Sequence, residues 1–357
     1  MTTTEAISGG QGAKLVLPFR FAPRKTKHPT VQRTDLLRHM SEASLLKQML
    51  IIRGPAGSGK STLLAQWRDV GIQMDRPIAW LTVDAADRDP KQFIAGAAEA
   101  LDEAQCPQIA EGFWEVAAEA DSLSSIQIAH RLASICNAST ERPVFLLDQY
   151  ERMDDTAAGE IISGFLDHAL HARVVIGSRI RPNIPLGQLL ARDQLFEIGP
   201  SDLNFTPLET RAIFDANVPE LYTRRLHWET SGEAVAIGFA RRAVDELPRD
   251  MVGTENWHEQ LHHYYRAEIL DLVTPETRAA MARLVVVERF DLSLAHALIG
   301  RSATEVIKQL HHTEGLVLRH RGTQEFYFSE MLRRFLERQL AWIEDDELIE
   351  LHRRAAD

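Results

Sequence analysis

Short apolar runs alternate with longer amphipathic segments between residues 49 and 200. Apolar runs of about four to six residues predict buried strands, and segments whose apolar positions recur three and four residues apart predict helices. The predicted strands are 49–53, 78–83, 144–147, 173–177 and 195–198, and the predicted helices are 34–40, 90–103, 124–137 and 156–171. This alternation predicts a parallel sheet with helices on both faces.

The strand pattern ends after Gly199 and Pro200, and a mainly helical region follows. Thr206 and Glu209 have the spacing of a capping box, in which two side chains satisfy backbone N–H groups at the start of a helix. A break is predicted at 247–248, further helices at 274–289, 292–299 and 304–313, and a two-stranded hairpin at 315–328 with its turn at 320–323. Three helices followed by a hairpin are typical of a winged helix.

The composition is that of a soluble globular protein. Hydrophobic residues make up 45% of the sequence and charged residues 25%, and no stretch approaches the roughly 18 apolar residues of a membrane span. The N-terminal residues lack the order of a signal peptide, and the two cysteines, Cys106 and Cys136, lie in apolar helical surroundings that are typical of buried thiols. We therefore expect a cytoplasmic protein with no membrane association.

The net charge of −11 disfavours DNA binding by the chain as a whole, because neutralising phosphates dominates such affinity. Residues 1–60 differ, with ten Lys/Arg against three Asp/Glu, so the basic stretch 24–27 could contact phosphates or a partner, or could simply be solvated. Residues 271–340 contain ten Lys/Arg and nine Asp/Glu, a balance that does not predict a DNA-reading surface. We expect no direct DNA binding by this chain.

Residues 54–61 match the full phosphate-loop (P-loop) pattern Gly-x-x-x-x-Gly-Lys-Ser, between the predicted strand 49–53 and a helix. The glycines let backbone N–H groups turn inward around a β-phosphate, and the helix N-terminus adds positive potential. We expect Lys60 to reach the β- and γ-phosphates of ATP or ADP, and the Ser61 hydroxyl to bind Mg²⁺. The residues predicted to hold the nucleotide here are Gly54, Pro55, Ala56, Gly57, Ser58, Gly59, Lys60, Ser61 and Thr62.

Asp148 ends the apolar run 144–147 and supplies the second element that a P-loop site needs. An acidic side chain at the end of a neighbouring buried strand holds Mg²⁺ and its water shell. A catalytic ATPase usually places another carboxylate next, but here that position is Gln149, whose amide cannot accept a proton. We therefore expect slow hydrolysis, unless another acid such as Glu151 or Asp84 takes this role.

Arg179 follows the predicted strand 173–177, at the sheet edge where ligands bind in open α/β folds. From the residues alone, two interpretations are equally open. The guanidinium could sense a γ-phosphate, or it could pair with a carboxylate at the surface. Lys60, Asp148 and Arg179 form the predicted catalytic set.

Together these features predict an α/β P-loop NTPase domain, with a parallel sheet and helices on both faces, followed by a helical domain and a winged-helix domain. The predicted boundaries are an N-terminal arm at 1–30, the P-loop domain at 31–204, the helical domain at 205–265, the winged helix at 266–340 and the start of a C-terminal helical extension at 341–357.

In their order and spacing, several segments resemble the STAND class of signal-transduction ATPases, in particular the nucleotide-binding part of MalT-like, LuxR-type transcriptional activators. The matching segments are residues 14–18, 31–37, 79–87, 148–150, 178–179, 203–209 and 231–234. The resemblance implies that Val31 and Arg33 contribute to an adenine pocket. It also implies that Gly232 and Ala234 occupy the positions of a Gly-x-Pro-like motif that contacts the nucleotide, and that Arg179 is the sensor arginine.

The resemblance further implies a conformational switch. In such proteins ADP holds a closed resting form, and ATP with an inducer favours an open form that self-associates. The alternative function is a turnover P-loop ATPase or phosphotransferase acting on a separate substrate. Steady turnover stimulated by a substrate would distinguish that enzyme from a switch.

Two features qualify the resemblance. The winged-helix histidine that reaches the ADP β-phosphate in the family falls on Ser329, followed by Glu330. A serine offers only a neutral hydrogen bond and a glutamate repels phosphate, so we expect a weaker ADP-bound closed form. Residues 351–357 resemble the first turns of a helical-repeat sensor, so we expect sensor and DNA-binding domains in a longer regulator, or else a switch that acts alone through partners.

Overall fold

The computed structural model describes residues 20–24, 30–153, 156–246, 256–313, 316–320, 322–339 and 345–356. Residues 14–18, most of the basic stretch at 24–27 and the predicted break at 247–248 lie outside these ranges. The α/β part contains strands β1 (Met49–Arg53), β2 (Ile78–Thr82), β3 (Val144–Asp148), β4 (Arg173–Ser178) and β5 (Leu195–Ile198). Its helices are α1 (Thr34–Leu46), α2 (Lys60–Gln73), α3 (Pro90–Glu103), α4 (Pro107–Glu119), α5 (Ser125–Ala138), α6 (Thr156–His168) and α7 (Gly187–Ala191).

The five strands form one parallel sheet in the order β2-β3-β4-β1-β5, which confirms the predicted sheet. The strand that ends in Asp148 does not pair directly with the P-loop strand, because β4 lies between β3 and β1. The register pairs Arg53 with Ser178 and Asp148 with Gly177, so all three strands end at the same edge. That edge carries the candidate site.

Helix starts in this part follow local capping. The Asp89 side chain accepts a hydrogen bond from the backbone of Lys91 at the start of α3, and Ser124 forms a capping box with Gln127 at the start of α5. Apolar side chains of α3 to α6 cover one face of the sheet, and those of α1 and α2 cover the other. Burial on both faces explains why the strands are almost entirely apolar.

The second half of the chain is mainly helical. Its helices are α8 (Pro207–Ala212), α9 (Glu220–Thr230), α10 (Ala234–Glu246), α11 (Trp257–Tyr265), α12 (Pro275–Leu284), α13 (Leu292–Ile299), α14 (Ala303–Lys308), α15 (Glu330–Gln339) and α16 (Asp345–Ala356). Strands β6 (Val317–Arg319) and β7 (Phe326–Phe328) form an antiparallel hairpin between α14 and α15. Three helices, a hairpin and a following helix make the predicted winged helix.

One hydrophobic core joins the helical and winged-helix parts. It runs from Phe214 through Trp257 and Leu284 to Phe335, and it includes Leu351 of α16. The predicted boundary at 265/266 therefore falls inside a continuous core. Among the described helices, none has both the length and the apolar character needed to cross a membrane.

Candidate functional site

The P-loop has the geometry that its glycines allow. It leaves β1 at Gly54 and enters α2 at Lys60, with φ of 74° at Gly57 and 88° at Gly59. Left-handed backbone of this kind costs glycine little and strains residues that carry a Cβ. The loop therefore presents its backbone at the carboxyl edge of the sheet.

Lys60 is buried within the P-loop. Its Nζ donates hydrogen bonds to the carbonyl oxygens of Gly54 and Pro55, at 2.7 and 2.9 Å. Burial lowers the pKa of Lys60 to about 8, against the opposing effect of the Glu151 carboxylate. A phosphate placed beside this ammonium group would favour its charged form.

Ser61 and Asp148 meet at the edge of the sheet. The Ser61 hydroxyl donates to Oδ1 of Asp148 at 3.1 Å, and Asp148 is buried. Burial raises the pKa of Asp148, while the bond from Ser61 acts in the opposite direction. A hydroxyl and a carboxylate are hard oxygen ligands of the kind that Mg²⁺ takes, so these two residues could hold the ion.

The residue directly after Asp148 is not a carboxylate. Gln149 has a left-handed backbone, with φ of 61° and ψ of 38°. The Glu151 carboxylate accepts from the backbone N–H of Arg179 at 3.1 Å, and Asp84 caps a turn by accepting from Ala86. Both acids considered as substitutes for the missing base are already engaged in hydrogen bonds.

Arg179 pairs with carboxylates, and its role as a phosphate sensor stays a prediction. Its Nε lies 3.3 Å from Oε1 of Glu151, and its Nη2 lies 3.7 Å from Oε2 of Glu268. Glu268 belongs to the π-helical turn Arg266–Leu270. The residue also lines the cavity that contains the P-loop. Arg179 therefore pairs with carboxylates and connects the sheet edge to the helical half of the chain.

A cavity of about 420 Å³ separates the P-loop from the helical and winged-helix parts. The P-loop residues Pro55, Ala56 and Ser58 form one wall. The other walls come from the start of α10, the end of α11, the hairpin and the start of α15, and include Ala234, Tyr264, Glu268, Tyr327 and Ser329. All three parts of the fold therefore meet at the predicted phosphate site.

Gly232 and Ala234 have different surroundings. Ala234 lines the cavity, and a Cβ added to Gly59 would lie 4.0 Å from its methyl group. Gly232 has φ of 77°, and its carbonyl oxygen accepts from the backbone N–H of Phe205 at 2.7 Å. The structure thus brings Ala234 to the P-loop and gives Gly232 a packing role against Phe205.

Val31 and Arg33 connect the start of the P-loop domain to the helical segment. The Val31 carbonyl accepts from the Gln66 side chain at 2.8 Å. The buried Arg33 guanidinium donates to the carbonyl oxygens of Leu203 and Asn204 and to the Glu209 carboxylate, at 2.9, 3.0 and 2.8 Å. Contact of either residue with a nucleotide remains a prediction.

Replacing Arg33 with alanine is expected to lower the free energy of unfolding by about 3 kcal/mol, because it leaves a partly buried carboxylate at Glu209 and two carbonyl groups without their donor. Urea unfolding would measure the loss. Arg38→Ala is the matched control, since Arg38 is exposed and its contacts with Asp35, His39 and Glu42 lie at the surface. Equal stabilities of the two variants would contradict the expectation.

Glu233, Tyr265 and Glu268 were not predicted as functional residues, although all three line the cavity. Glu233 accepts from the Met331 backbone N–H at 3.0 Å and from the Tyr265 hydroxyl at 3.2 Å. Burial raises the pKa of Glu233 to about 7. Their partners lie far away in sequence, so the only sequence signal was the position of Glu233 between Gly232 and Ala234.

Comparison with known proteins begins with a family model. Residues 266–348 match the MalT winged helix domain. The match begins at the residue where the winged helix was predicted to begin, and it extends into α16.

Curated relatives match most of the chain. The serine/threonine-protein kinase PknK of Mycobacterium tuberculosis is 27% identical over 333 residues, covering 90% of this chain and 30% of the kinase. The HTH-type transcriptional regulator MalT of Cronobacter sakazakii is 27% identical over 359 residues, covering 96% of this chain and 39% of the regulator. MalT of Vibrio cholerae is 27% identical over 346 residues, covering 92% and 36%. The chain thus spans about a third of the length of these relatives.

The fold also matches a solved structure. The Walker-type ATPase PABY2304 of Pyrococcus abyssi aligns with a TM-score of 0.59 at 11% identity, over 88% of this chain and 99% of that one. The chain is thus similar to MalT regulators over most of its length, contains a segment that matches the MalT winged helix domain, and shares the fold of this Walker-type ATPase.

Proposed function

We propose that this chain is the nucleotide-operated switch of a transcriptional regulator. It binds ATP or ADP with Mg²⁺, hydrolyses ATP slowly and controls self-association. The observation that carries the proposal is the contact of Ser61 with Asp148 near the buried Lys60, because a hydroxyl and a carboxylate suited to Mg²⁺ and an ammonium group suited to phosphate then lie close together. The DNA-reading and sensor functions would belong to other segments of a longer regulator.

Slow hydrolysis is supported by the surroundings of Asp148. Gln149 cannot take a proton from water, and the Glu151 and Asp84 carboxylates are held by Arg179 and Ala86. General-base catalysis typically accelerates a reaction by about 10² to 10⁴, so an ATPase without a general base would hydrolyse ATP slower by about that factor. Bound ATP would then remain unhydrolysed long enough to determine the conformation of the protein.

A switch is also supported by the cavity and by the relatives. The P-loop shares its cavity with α10, α11, the hairpin and α15, so a bound nucleotide would contact all three parts of the fold and could favour one arrangement of them over another. The segment shared with this chain occurs both in a protein named as a kinase and in proteins named as transcriptional regulators. A module found with different named activities fits a controlling role better than an effector role.

The nucleotide-bound forms need not be equally stable. Ser329 and Glu330 line the cavity where the family has a histidine, and neither offers a cation to a β-phosphate. We therefore expect weaker retention of ADP than in relatives with that histidine. Purified protein that keeps stoichiometric ADP through gel filtration would contradict this expectation.

The proposal is tested by three measurements on the purified chain: binding of a fluorescent ADP or ATP analogue, gel-filtration mass with each nucleotide, and steady-state phosphate release. We expect Mg²⁺-dependent binding, a larger assembly with ATP than with ADP, and turnover far below the typical enzyme rate of about 10 per second. Chelating Mg²⁺ should weaken ATP binding. Fast, substrate-stimulated turnover without a change in assembly would support the alternative enzyme.

A further inference from the structure

Glu233 joins three elements of the helical half of the chain. It lies just before α10, between Gly232, which bonds to Phe205, and Ala234, which faces the P-loop. Its Oε1 accepts from the Met331 backbone N–H at 3.0 Å, and its Oε2 accepts from the Tyr265 hydroxyl at 3.2 Å. The Ser329 hydroxyl is also hydrogen-bonded to this carboxyl group.

The contact with Met331 is a helix cap that comes from another part of the fold. Met331 lies in the first turn of α15, where backbone N–H groups have no partner within the helix. A carboxyl group at that position satisfies one of these donors and lies at the positive end of the helix dipole. Glu233 therefore holds α15 of the winged helix against the start of α10, beside the P-loop.

We propose that Glu233 is a proton-coupled latch. Its carboxyl group holds the winged helix against α10. Nucleotide phosphates in the P-loop control this contact, because their negative charge forces either proton uptake at Glu233 or release of α15. The second half of this statement rests on the proposed nucleotide site. Glu233 and the P-loop line the same cavity, so the charge of the bound phosphates would act on the Glu233 carboxylate.

The titratable groups around Glu233 explain why it responds near neutral pH. Burial raises its pKa to about 7, and Glu330 from α15 raises it further by repulsion. Hydrogen bonds from Met331, Ser329 and the Tyr265 hydroxyl from α11 act in the opposite direction. A phosphate anion in the same cavity adds a second repulsive charge, so it favours the protonated form.

The docked form survives protonation. Tyr and Ser hydroxyls can accept as well as donate, and a neutral carboxyl keeps one carbonyl oxygen for the Met331 N–H. Because the docked pKa lies above the value of about 4.3 for a free glutamate, linkage makes docking strongest at low pH and weaker as pH rises through about 7. Nucleotide should therefore keep α15 docked in acid and release it in alkali.

Calorimetric titration of ADP and ATP with Mg²⁺ at pH 7, in buffers of different ionisation enthalpy, tests the coupling. The wild-type chain should take up more protons per nucleotide than Glu233→Gln, by up to about half a proton, because a group with a pKa of about 7 is already half protonated at pH 7. Glu288→Gln is the matched control, since it removes a cavity-lining carboxylate that pairs with Arg333 and is not among the groups that shift the pKa of Glu233, and its uptake should stay close to wild type. Equal uptake in wild type and Glu233→Gln overturns the proposal.

Hydrogen exchange in the first turn of α15, without nucleotide, tests the latch on its own. Protection in the wild type should fall by up to about tenfold per pH unit between about pH 4.3 and pH 7 and then level off, after correction for intrinsic rates. Glu233→Gln, a neutral mimic, should stay protected, and Tyr265→Phe should move the midpoint to higher pH because the charged form loses a donor. If wild type binds no nucleotide, the proposed function fails while this experiment still decides the latch. Matching pH profiles for wild type and Glu233→Gln reject it.

Discussion

Replacing Lys60 with alanine is expected to weaken binding of ADP and ATP by on the order of 100-fold, about 3 kcal/mol. The Lys60 ammonium now donates to the Gly54 and Pro55 carbonyls, inside the loop that should close around the phosphates. Burial holds its pKa at about 8, so at pH 7 it is mostly charged and ready to form charge-assisted bonds to phosphate oxygens. Truncation removes that charge from a site where little water is available to replace it.

The measurement is a titration with a fluorescent ADP analogue at pH 7, and Lys91→Ala is its control. Lys91 forms an exposed ion pair with Asp121 near the start of α3, so its removal should change the affinity by less than about twofold. Thermal unfolding of both variants separates lost binding from lost folding. If the Lys60 variant binds within threefold of wild type, the phosphates are held elsewhere on the molecule.

The features predicted correctly from sequence are those that local chemistry determines. The strand 195–198 and the helices 90–103 and 292–299 have the predicted bounds, because apolar runs or side-chain caps such as Asp89 and Asp291 mark their ends. Helix α4 was not predicted. Its N-cap, Cys106, makes no side-chain cap hydrogen bond, so its start is marked by Pro107 at the first helical position without a capping side chain.

The features that the sequence did not predict depend on contacts between distant residues. The insertion of β4 between β1 and β3 is a property of chain topology, which the alternation of strands and helices leaves open. Glu233 and Met331 are 98 positions apart, and Arg33 and Glu209 are 176 apart. No periodicity links such pairs, so the P-loop wall of the cavity was predictable from the residues, whereas positions on the opposite wall such as Ala234 and Ser329 came only from the resemblance.

Gly232 is where the resemblance and the packing lead to different expectations. The resemblance assigns it a nucleotide contact, whereas its surroundings assign it a structural role. It has φ of 77°, and a Cβ at this position would lie 2.3 Å from the carbonyl oxygen of Phe205. We therefore expect Gly232→Ala to lower the free energy of unfolding by about 3 kcal/mol, from left-handed strain and the displaced backbone of Phe205.

Gly238→Ala is the matched control, because Gly238 lies within α10 and a Cβ there meets no atom within 4 Å. That change should stabilise the protein by about 0.5 to 1 kcal/mol, since alanine loses less backbone entropy in a helix. Urea unfolding and ADP titration of both variants separate the two roles of Gly232. A Gly232 variant with wild-type stability and weakened ADP binding would show that the residue contacts nucleotide. Loss of stability with unchanged affinity would show that Gly232 acts by fixing the start of α10, and with it Glu233 and Ala234, against the P-loop.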